Sequence, residues 1–332
     1  MWLCVAMKFV VTDPRVKQAL LEWAEIAPTL SLDAKAFRSK LIWQKDEPGR
    51  SHVVIRLTGP RRLILKRTFV DDADGNLSKK VATQRDAFRR LVPYQKAHVP
   101  EVLYASQDGK IVVMSDQPGK TLNDHLQSGR SHDQMLRRAG AWLAAFHQSG
   151  PAEIRTYQPR FMVAEVERRR TSIAEGEISV ALPDLYVRCC AEINELAKQV
   201  VNQQTVSSCK HGDFNLRNIL LGPDGETGLD FKPASTAPVG FDIARLLMDY
   251  AELFQPLKDV PVGAVLSDDT LDAFFKGYDV VGREDPTVRF LPYVQLLTDW
   301  RAIPPDPDRG SWRQVARMEA IEALARKAFD LK

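Results

Sequence analysis

Cysteine is scarce in this chain. The four that occur in 332 residues, Cys4, Cys189, Cys190 and Cys209, form no CxxC pair and no His-interleaved spacing, which argues against a disulfide framework or a zinc site. A reducing cytoplasm is the expected setting. Adjacent Cys189 and Cys190 fall in a helical run and read as core residues. No apolar run is long enough to span a bilayer. The stretch from Met1 to Val11 is apolar but lacks a basic leader and a small-residue cleavage site, and Asp13-Pro14 interrupts it, so no targeting segment is expected. Met7 is an alternative start of translation. Repeats and low-complexity tracts are absent. Charge of either sign is not in excess: 46 Lys and Arg stand against 43 Asp and Glu, a net of +3 that selects no partner. The basic run Arg168-Arg169-Arg170 after Glu167 has no interleaved aromatics, so it reads as a solvated helix face and no nucleic-acid partner is expected. Asp72-Ala73-Asp74-Gly75-Asn76 has its glycine misplaced and no closing Glu, which makes it a turn and not a calcium loop.

What is present is ordinary in bulk and specific in one place. A chain that is 44% hydrophobic and 27% charged is a soluble globular protein long enough for two lobes. The specific place is Lys210-His211-Gly212-Asp213-Phe214-Asn215-Leu216-Arg217-Asn218-Ile219-Leu220-Leu221, followed by Gly228-Leu229-Asp230-Phe231. Asp213 precedes Asn218 by five residues, and Asp230 follows twelve later. A phosphoryl-transfer site needs one carboxylate to accept the proton of an attacking hydroxyl and two further oxygen ligands for Mg2+. Asp213 fits the first role, Asn218 and Asp230 the second. Ile219 to Leu221 and Thr227 to Phe231 read as strands joined by the turn Gly222-Pro223-Asp224-Gly225. Such a hairpin is expected to set Asn218 and Asp230 side by side at its open end.

These residues resemble the signature of the kinase-like small-molecule phosphotransferases, the superfamily of aminoglycoside phosphotransferases and choline kinases: His-Gly-Asp, four residues, Asn, then Ile-Asp-Phe or Trp. Protein kinases carry Arg at the place of Gly212. The interval from Asp230 to Gly240 leaves no room for a long activation loop, and no Ala-Pro-Glu follows. The resemblance implies an α+β, bilobal protein-kinase-like fold: a small strand-rich N-terminal lobe over residues 1–117 that binds nucleotide, and a larger, mainly helical C-terminal lobe over 118–332 that carries catalysis and the acceptor. It implies ATP and Mg2+ as cofactors, a small-molecule hydroxyl acceptor as partner, and no membrane. Oligomeric state and the choice between ATP and GTP stay open. In the resembled families His211 packs beneath the loop and takes no chemical role.

Helix spacing covers Val16 to Ile26. Strands follow at Leu41 to Trp43, Val53 to Leu57 and Leu63 to Lys66. Lys66 ends the third, where the resembled fold needs a cation on the α and β phosphates. Gly49-Arg50-Ser51 stands where those families close a loop over the phosphates, through backbone N–H groups and a hydroxyl; Pro48-Gly49 is equally a plain turn. A helix from Lys79 to Val92 is expected to supply the partner of Lys66. The family's Glu position falls on Gln84, and Asp86, offset around the helix, is the alternative. The run from Ser115 through Gln117 to Leu122 resembles the interlobe hinge, implying that Ser115 and Gln117 bind adenine through backbone groups. Thr121 or Asn123 is suited to cap the next helix.

From Asp133 the chain reads as mainly helical: Met135 to Gln148, Phe161 to Ile173, Leu185 to Val201, Phe241 to Leu253, Leu271 to Val281, Val288 to Trp300 and Trp312 to Phe329. Gly240-Phe241-Asp242-Ile243-Ala244-Arg245 resembles the segment whose Asp braces the catalytic loop. Residues 240–308 hold thirteen Asp or Glu against six Lys or Arg. That excess suggests a cationic acceptor, an amino sugar, aminoglycoside or choline-like amine, with a neutral sugar as the alternative. A nucleotide-binding pseudokinase with a regulatory role is the rival reading, and Gln84 is its support.

Overall fold

The structure, a computed structural model, describes residues 13–47, 49–306 and 312–331. The apolar N-terminal stretch with Cys4 and Met7, Pro48 of the candidate loop, and Asp308 lie outside the described residues. The chain forms two compact units, one running to Gly119 and including Thr227–Ala234, the other made of Lys120–Glu226 and the chain from Ser235 onward.

The first unit is built on an antiparallel sheet. Its strands are β1 (Arg38–Glu47), β2 (Arg50–Thr58), β3 (Arg62–Thr68), β5 (Val102–Ala105) and β6 (Ile111–Ser115), in the spatial order β1-β2-β3-β6-β5, with the short β4 (Ala97–His98) between in sequence. Period-two alternation puts Val53, Ile55 and Leu57 of β2 and Leu63 and Leu65 of β3 on one buried face. Helix α1 (Pro14–Ile26) covers that face with Val16, Ala19, Trp23 and Ile26. Its start is fixed by Asp13, which accepts from the Arg15 N–H at 2.8 Å, and by Pro14 at the first helical position. Helix α2 (Asn76–Leu91) begins a turn earlier than Lys79, because both oxygens of Asp72 accept the N–H groups of Asn76 and Leu77, at 2.9 and 2.6 Å.

The second unit is mainly helical. It contains α3 (Leu122–Gln127), α4 (His132–Gln148), α5 (Arg160–Ala174), α6 (Pro183–Lys198), α7 (Gly240–Leu253), α8 (Asp268–Phe275), α9 (Pro286–Arg301) and α10 (Trp312–Ala328). Thr121 caps α3, accepting from Asp124 N–H at 3.1 Å. Helix α8 starts earlier and stops earlier than the 271–281 pattern suggested. Ser267 caps its start, and Gly277 lies so close to α4 that a Cβ there would meet the Arg137 carbonyl oxygen at 1.9 Å. Short strands interrupt the helices where no alternation announced them. β7 (Lys120–Thr121) pairs with β10 (Ile219–Leu221), which itself occupies the expected strand, and β8 (Glu153–Thr156), β9 (Gln204–Cys209) and β12 (Thr236–Pro238) form a sheet ordered β12-β9-β8. Strand β11 (Glu226–Gly228) is shorter than the expected Thr227 to Phe231 strand. It ends before Asp230, whose φ of +59° leaves extended geometry altogether. No helix among the described residues is long and apolar enough to cross a membrane.

Candidate active site

Strand β9 delivers the chain into the loop that begins at Lys210, where the Lys210 N–H bonds the Ser235 carbonyl at 2.9 Å. His211 is fully buried and its ring packs against Trp142, Phe146 and Phe214, at centroid distances of 5.9, 6.1 and 5.4 Å. Gly212 then turns with φ +84°, the left-handed region a side chain would resist. The turn is braced from α7. Asp242 accepts the His211 N–H at 2.8 Å and the Gly212 N–H at 2.9 Å, and contacts His147 Nε2 at 3.3 Å. Burial works to raise the Asp242 carboxyl, but the His147 hydrogen bond, the charges of His147 and His211 and the Gly212 N–H prevail and hold it below its usual range.

Asp213 emerges from this brace with its carboxylate held on several sides. Asn218 Nδ2 donates to the Asp213 backbone oxygen at 2.8 Å and to Oδ2 at 3.3 Å, Asn215 Nδ2 donates to Oδ1 at 3.2 Å, and Arg245 Nε reaches Oδ1 at 3.4 Å. The side chain still keeps 31% of its surface open. Because the nitrogen of the Asn218 amide is committed to Asp213, its oxygen is the atom left for a hard cation.

In the first unit, Lys66 sits in the middle of β3, between Val54 of β2 and Val112 of β6. Its ammonium pairs with the carboxylate of Asp230, so two of the sequence-selected residues meet directly. The partner expected on α2 is corrected. Gln84 donates instead to the Pro100 carbonyl at 2.9 Å and Met114 Sδ at 3.7 Å, and Asp86 is exposed and pairs with Arg90 at 2.8 Å. The residue of α2 that feels Lys66 and Asp230 is Lys80, one helical turn before Gln84. Burial, then the charges of Lys232 and Lys66, lower its ammonium pKa. Sequence reading missed Lys80 because it sought an acid on that face.

The other nucleotide candidates are placed as follows. Arg50 and Ser51 do not lie in an open loop: they begin β2, opposite Glu47 and Asp46, and Ser51 Oγ accepts from Arg15 at 3.3 Å. Gly49 alone has turn geometry, with φ +73°. Ser115 ends β6. Its N–H is given to the Glu101 carbonyl at 2.9 Å and its Oγ accepts from Glu101 N–H and Gln117 Nε2, both at 2.9 Å, so its donor is already engaged inside the unit.

The acidic excess after Gly240 is largely consumed internally. Asp268 and Asp272 pair with Arg283, Asp279 accepts from Gln148, and Asp285 accepts from Thr205 and Thr287. Asp249 accepts the Leu216 N–H of the loop that carries Asp213 at 3.2 Å. Asp299 accepts from Arg245 Nη1 at 3.1 Å, and Arg317 of α10 pairs with Glu252 at 2.5 Å. Arg245 stands in the quoted α7 segment. Arg317 carried no signal in the sequence.

The fold and this loop have the layout expected of a phosphotransferase. Residues 43–291 match the model of the APH phosphotransferase enzyme family, and the chain belongs to that family: it is a small-molecule kinase. Among solved structures, it is similar to a choline/ethanolamine kinase family protein from Mesorhizobium loti, with TM-score 0.56 and 15% identity over 98% of this chain and 95% of that one. It is also similar to a glucosamine kinase, with TM-score 0.54 and 14% identity over 92% of this chain and 80% of the other. A spectinomycin phosphotransferase solved with ADP and spectinomycin gives TM-score 0.53 and 12% identity, covering 92% and 97%. These likenesses share an antiparallel-sheet N-terminal region and a helical C-terminal region with this chain. No curated protein matches the sequence.

Proposed function

We propose that the protein transfers the γ-phosphoryl group of ATP to a hydroxyl of a small molecule in the cytoplasm, with Asp213 as the group that orients the hydroxyl and takes its proton. The observation that carries this reading is the Asp213 carboxylate, held by Asn215, Asn218 and Arg245 yet open to solvent. A carboxylate fixed in that way is prepared to receive a proton in the transition state. Lys66 serves the nucleotide phosphates, with Gln117 and Ser115 at the adenine end and Gly49 at the hairpin turn. The residues that would hold Mg2+ are Asn218, through its free amide oxygen, and Asp230, whose carboxylate is exposed beside Lys66. When bound, Mg2+ supplies charge neutralisation on the phosphates. Among the described residues no group of three or more His, Cys, Asp or Glu is gathered for a metal. That accords with a cation that takes most of its oxygens from phosphates and water.

The regulatory pseudokinase reading rested on Gln84 as a defective partner of Lys66. Gln84 bonds Pro100 and Met114, so its identity says nothing about Lys66. Measuring ADP release from Mg-ATP over a panel of polyols, sugars, amino sugars and hydroxy acids tests the proposal. Acceptor-dependent release supports it, and nucleotide binding without any acceptor-dependent turnover contradicts it.

A further inference from the structure

Beside Asp213, two arginines converge on one carboxylate oxygen. Arg245 Nη1 lies 3.1 Å and Arg317 Nη2 lies 3.8 Å from Asp299 Oδ1, while Arg245 Nε contacts Asp213 itself at 3.4 Å. Arg317 continues the cluster to Glu252 at 2.5 Å and Asp249 at 3.6 Å. The members differ in exposure. The side chains of Asp299, Glu252 and Asp249 keep 8%, 0% and 12% of their surface, whereas both arginines keep 26%. Next to the Asp213 carboxylate stands the Arg245 guanidinium, with the three acids packed more deeply; Arg317 lies behind it across Asp299, with its Nη2 enclosed.

We propose that the acceptor carries an oxyanion, a carboxylate or a phosphate monoester, close to its reactive hydroxyl, and that Arg245 and Arg317 recognise it. The inference rests on the phosphotransfer reading for the identity of Asp213 as the reacting end. A guanidinium offers paired N–H donors in the plane that a carboxylate or phosphate matches. Arg245 spends its Nε on Asp213 and its Nη1 on Asp299, and no hydrogen bond from its Nη2 is found among the described residues, which leaves a donor to offer. Burial raises the Glu252 and Asp299 carboxyls toward their neutral forms, although both arginines of the cluster oppose this at Asp299. Guanidiniums stay charged in such surroundings, so the exposed side of the cluster keeps its cationic character. An amine brought to the same place meets the Arg245 cation, with Arg317 behind it, and, apart from Asp213, no carboxylate of the cluster that is both exposed and uncommitted. The acid excess of residues 240–308 does not weigh against this, because most of those acids are spent internally.

The test is a matched acceptor panel on the wild-type protein: glycerol with glycerate, glucose with gluconate, glucose 6-phosphate and glucosamine. Calorimetric binding and ADP release are read separately. Oxyanion members are expected to bind at least ~10-fold tighter than their neutral parents and than glucosamine, a difference of the size of one charged hydrogen bond. High salt should shrink the preference, and Arg317→Gln should remove most of it. The gluconate and glucose 6-phosphate arms separate carboxylate from phosphate. Glucosamine or the neutral parents binding as tightly as the oxyanions overturns the proposal, and does so on wild-type protein whatever the variant's stability. Oxyanion binding without ADP release from any acceptor would uphold the anion site and reject phosphotransfer. ADP release that prefers glucosamine would do the reverse.

Discussion

Asn218 ties itself to Asp213 by giving its side-chain amide to the Asp213 backbone carbonyl at 2.8 Å and to Oδ2 at 3.3 Å. One residue thus fixes the Asp213 carboxylate with its amide nitrogen and keeps its amide oxygen out of that contact. The five-residue spacing of the two has this contact as its physical meaning.

Asp230 combines a left-handed backbone with an exposed carboxylate paired to Lys66. Such a conformation is uncommon in a non-glycine residue, and Asp tolerates it better than most. Asp230→Ala should abolish the Mg2+-dependent part of ATP affinity while the metal-independent part persists. Calorimetry with ATP in Mg2+ and in EDTA measures both, and an unchanged Mg-ATP affinity would reject the metal role.

Gln84 donates to a backbone carbonyl, so Gln84→Glu sets a carboxylate against the Pro100 oxygen. The substitution should destabilise the protein by about 1–3 kcal/mol, the scale of a lost hydrogen bond with an unsatisfied acceptor, and should not raise activity. Asp86→Ala, on an exposed pair, should stay within about 0.5 kcal/mol of wild type. Denaturant unfolding checks both. A gain of activity in Gln84→Glu would restore the ion pair with Lys66 that the structure contradicts.

Asp242 has a depressed folded-state pKa, so its contribution to stability is present above the unfolded carboxylate value near ~3.9 and is lost as pH falls through the lower folded value. Asp242→Asn should cost about 2 kcal/mol at pH 7, the scale of charge-assisted hydrogen bonds, and the gap to wild type should narrow in acid. Melting curves from pH 7 down to pH 3 read this directly. A gap that stays constant or widens in acid would show that the carboxylate's charge is not what braces the loop.

Local features were legible and distant ones were not. The spacing of Asp213 and Asn218 is a property of one loop, closed by the Asn218 N–H to Asn215 carbonyl bond at 3.0 Å, so sequence alone reveals it. The strands from Val53 to Leu57 and from Leu63 to Lys66 were legible as apolar runs, and in the structure Val53, Ile55, Leu57 and Leu65 lie on the buried face. The direction of Gln84 was hidden, because packing against Pro100 and Met114, far along the chain, decides which way that side of α2 points. Strand β9 has no clean alternation and borrows its stability from β8 and β12. Arg317 lies more than a hundred residues past Asp213, so only tertiary structure could join it to the cluster around Asp299. A count of the acids after Gly240 does not show which of them are spent internally: Asp242 was legible as a brace from its motif, whereas Asp249 and Asp299 are recognisable as braces only once their partners are known.

The most direct measurement is acceptor-dependent turnover of Asp213→Asn beside wild type, with Mg-ATP affinity recorded on the same samples. The substitution keeps the shape but removes the proton acceptor, and its amide oxygen can replace only one of the two oxygens that accept from Asn218, Asn215 and Arg245. Turnover should fall by at least ~100-fold, the scale of general-base catalysis, while nucleotide affinity stays nearly intact. Equal turnover in the two proteins would contradict the assignment of Asp213 and with it the proposed reaction.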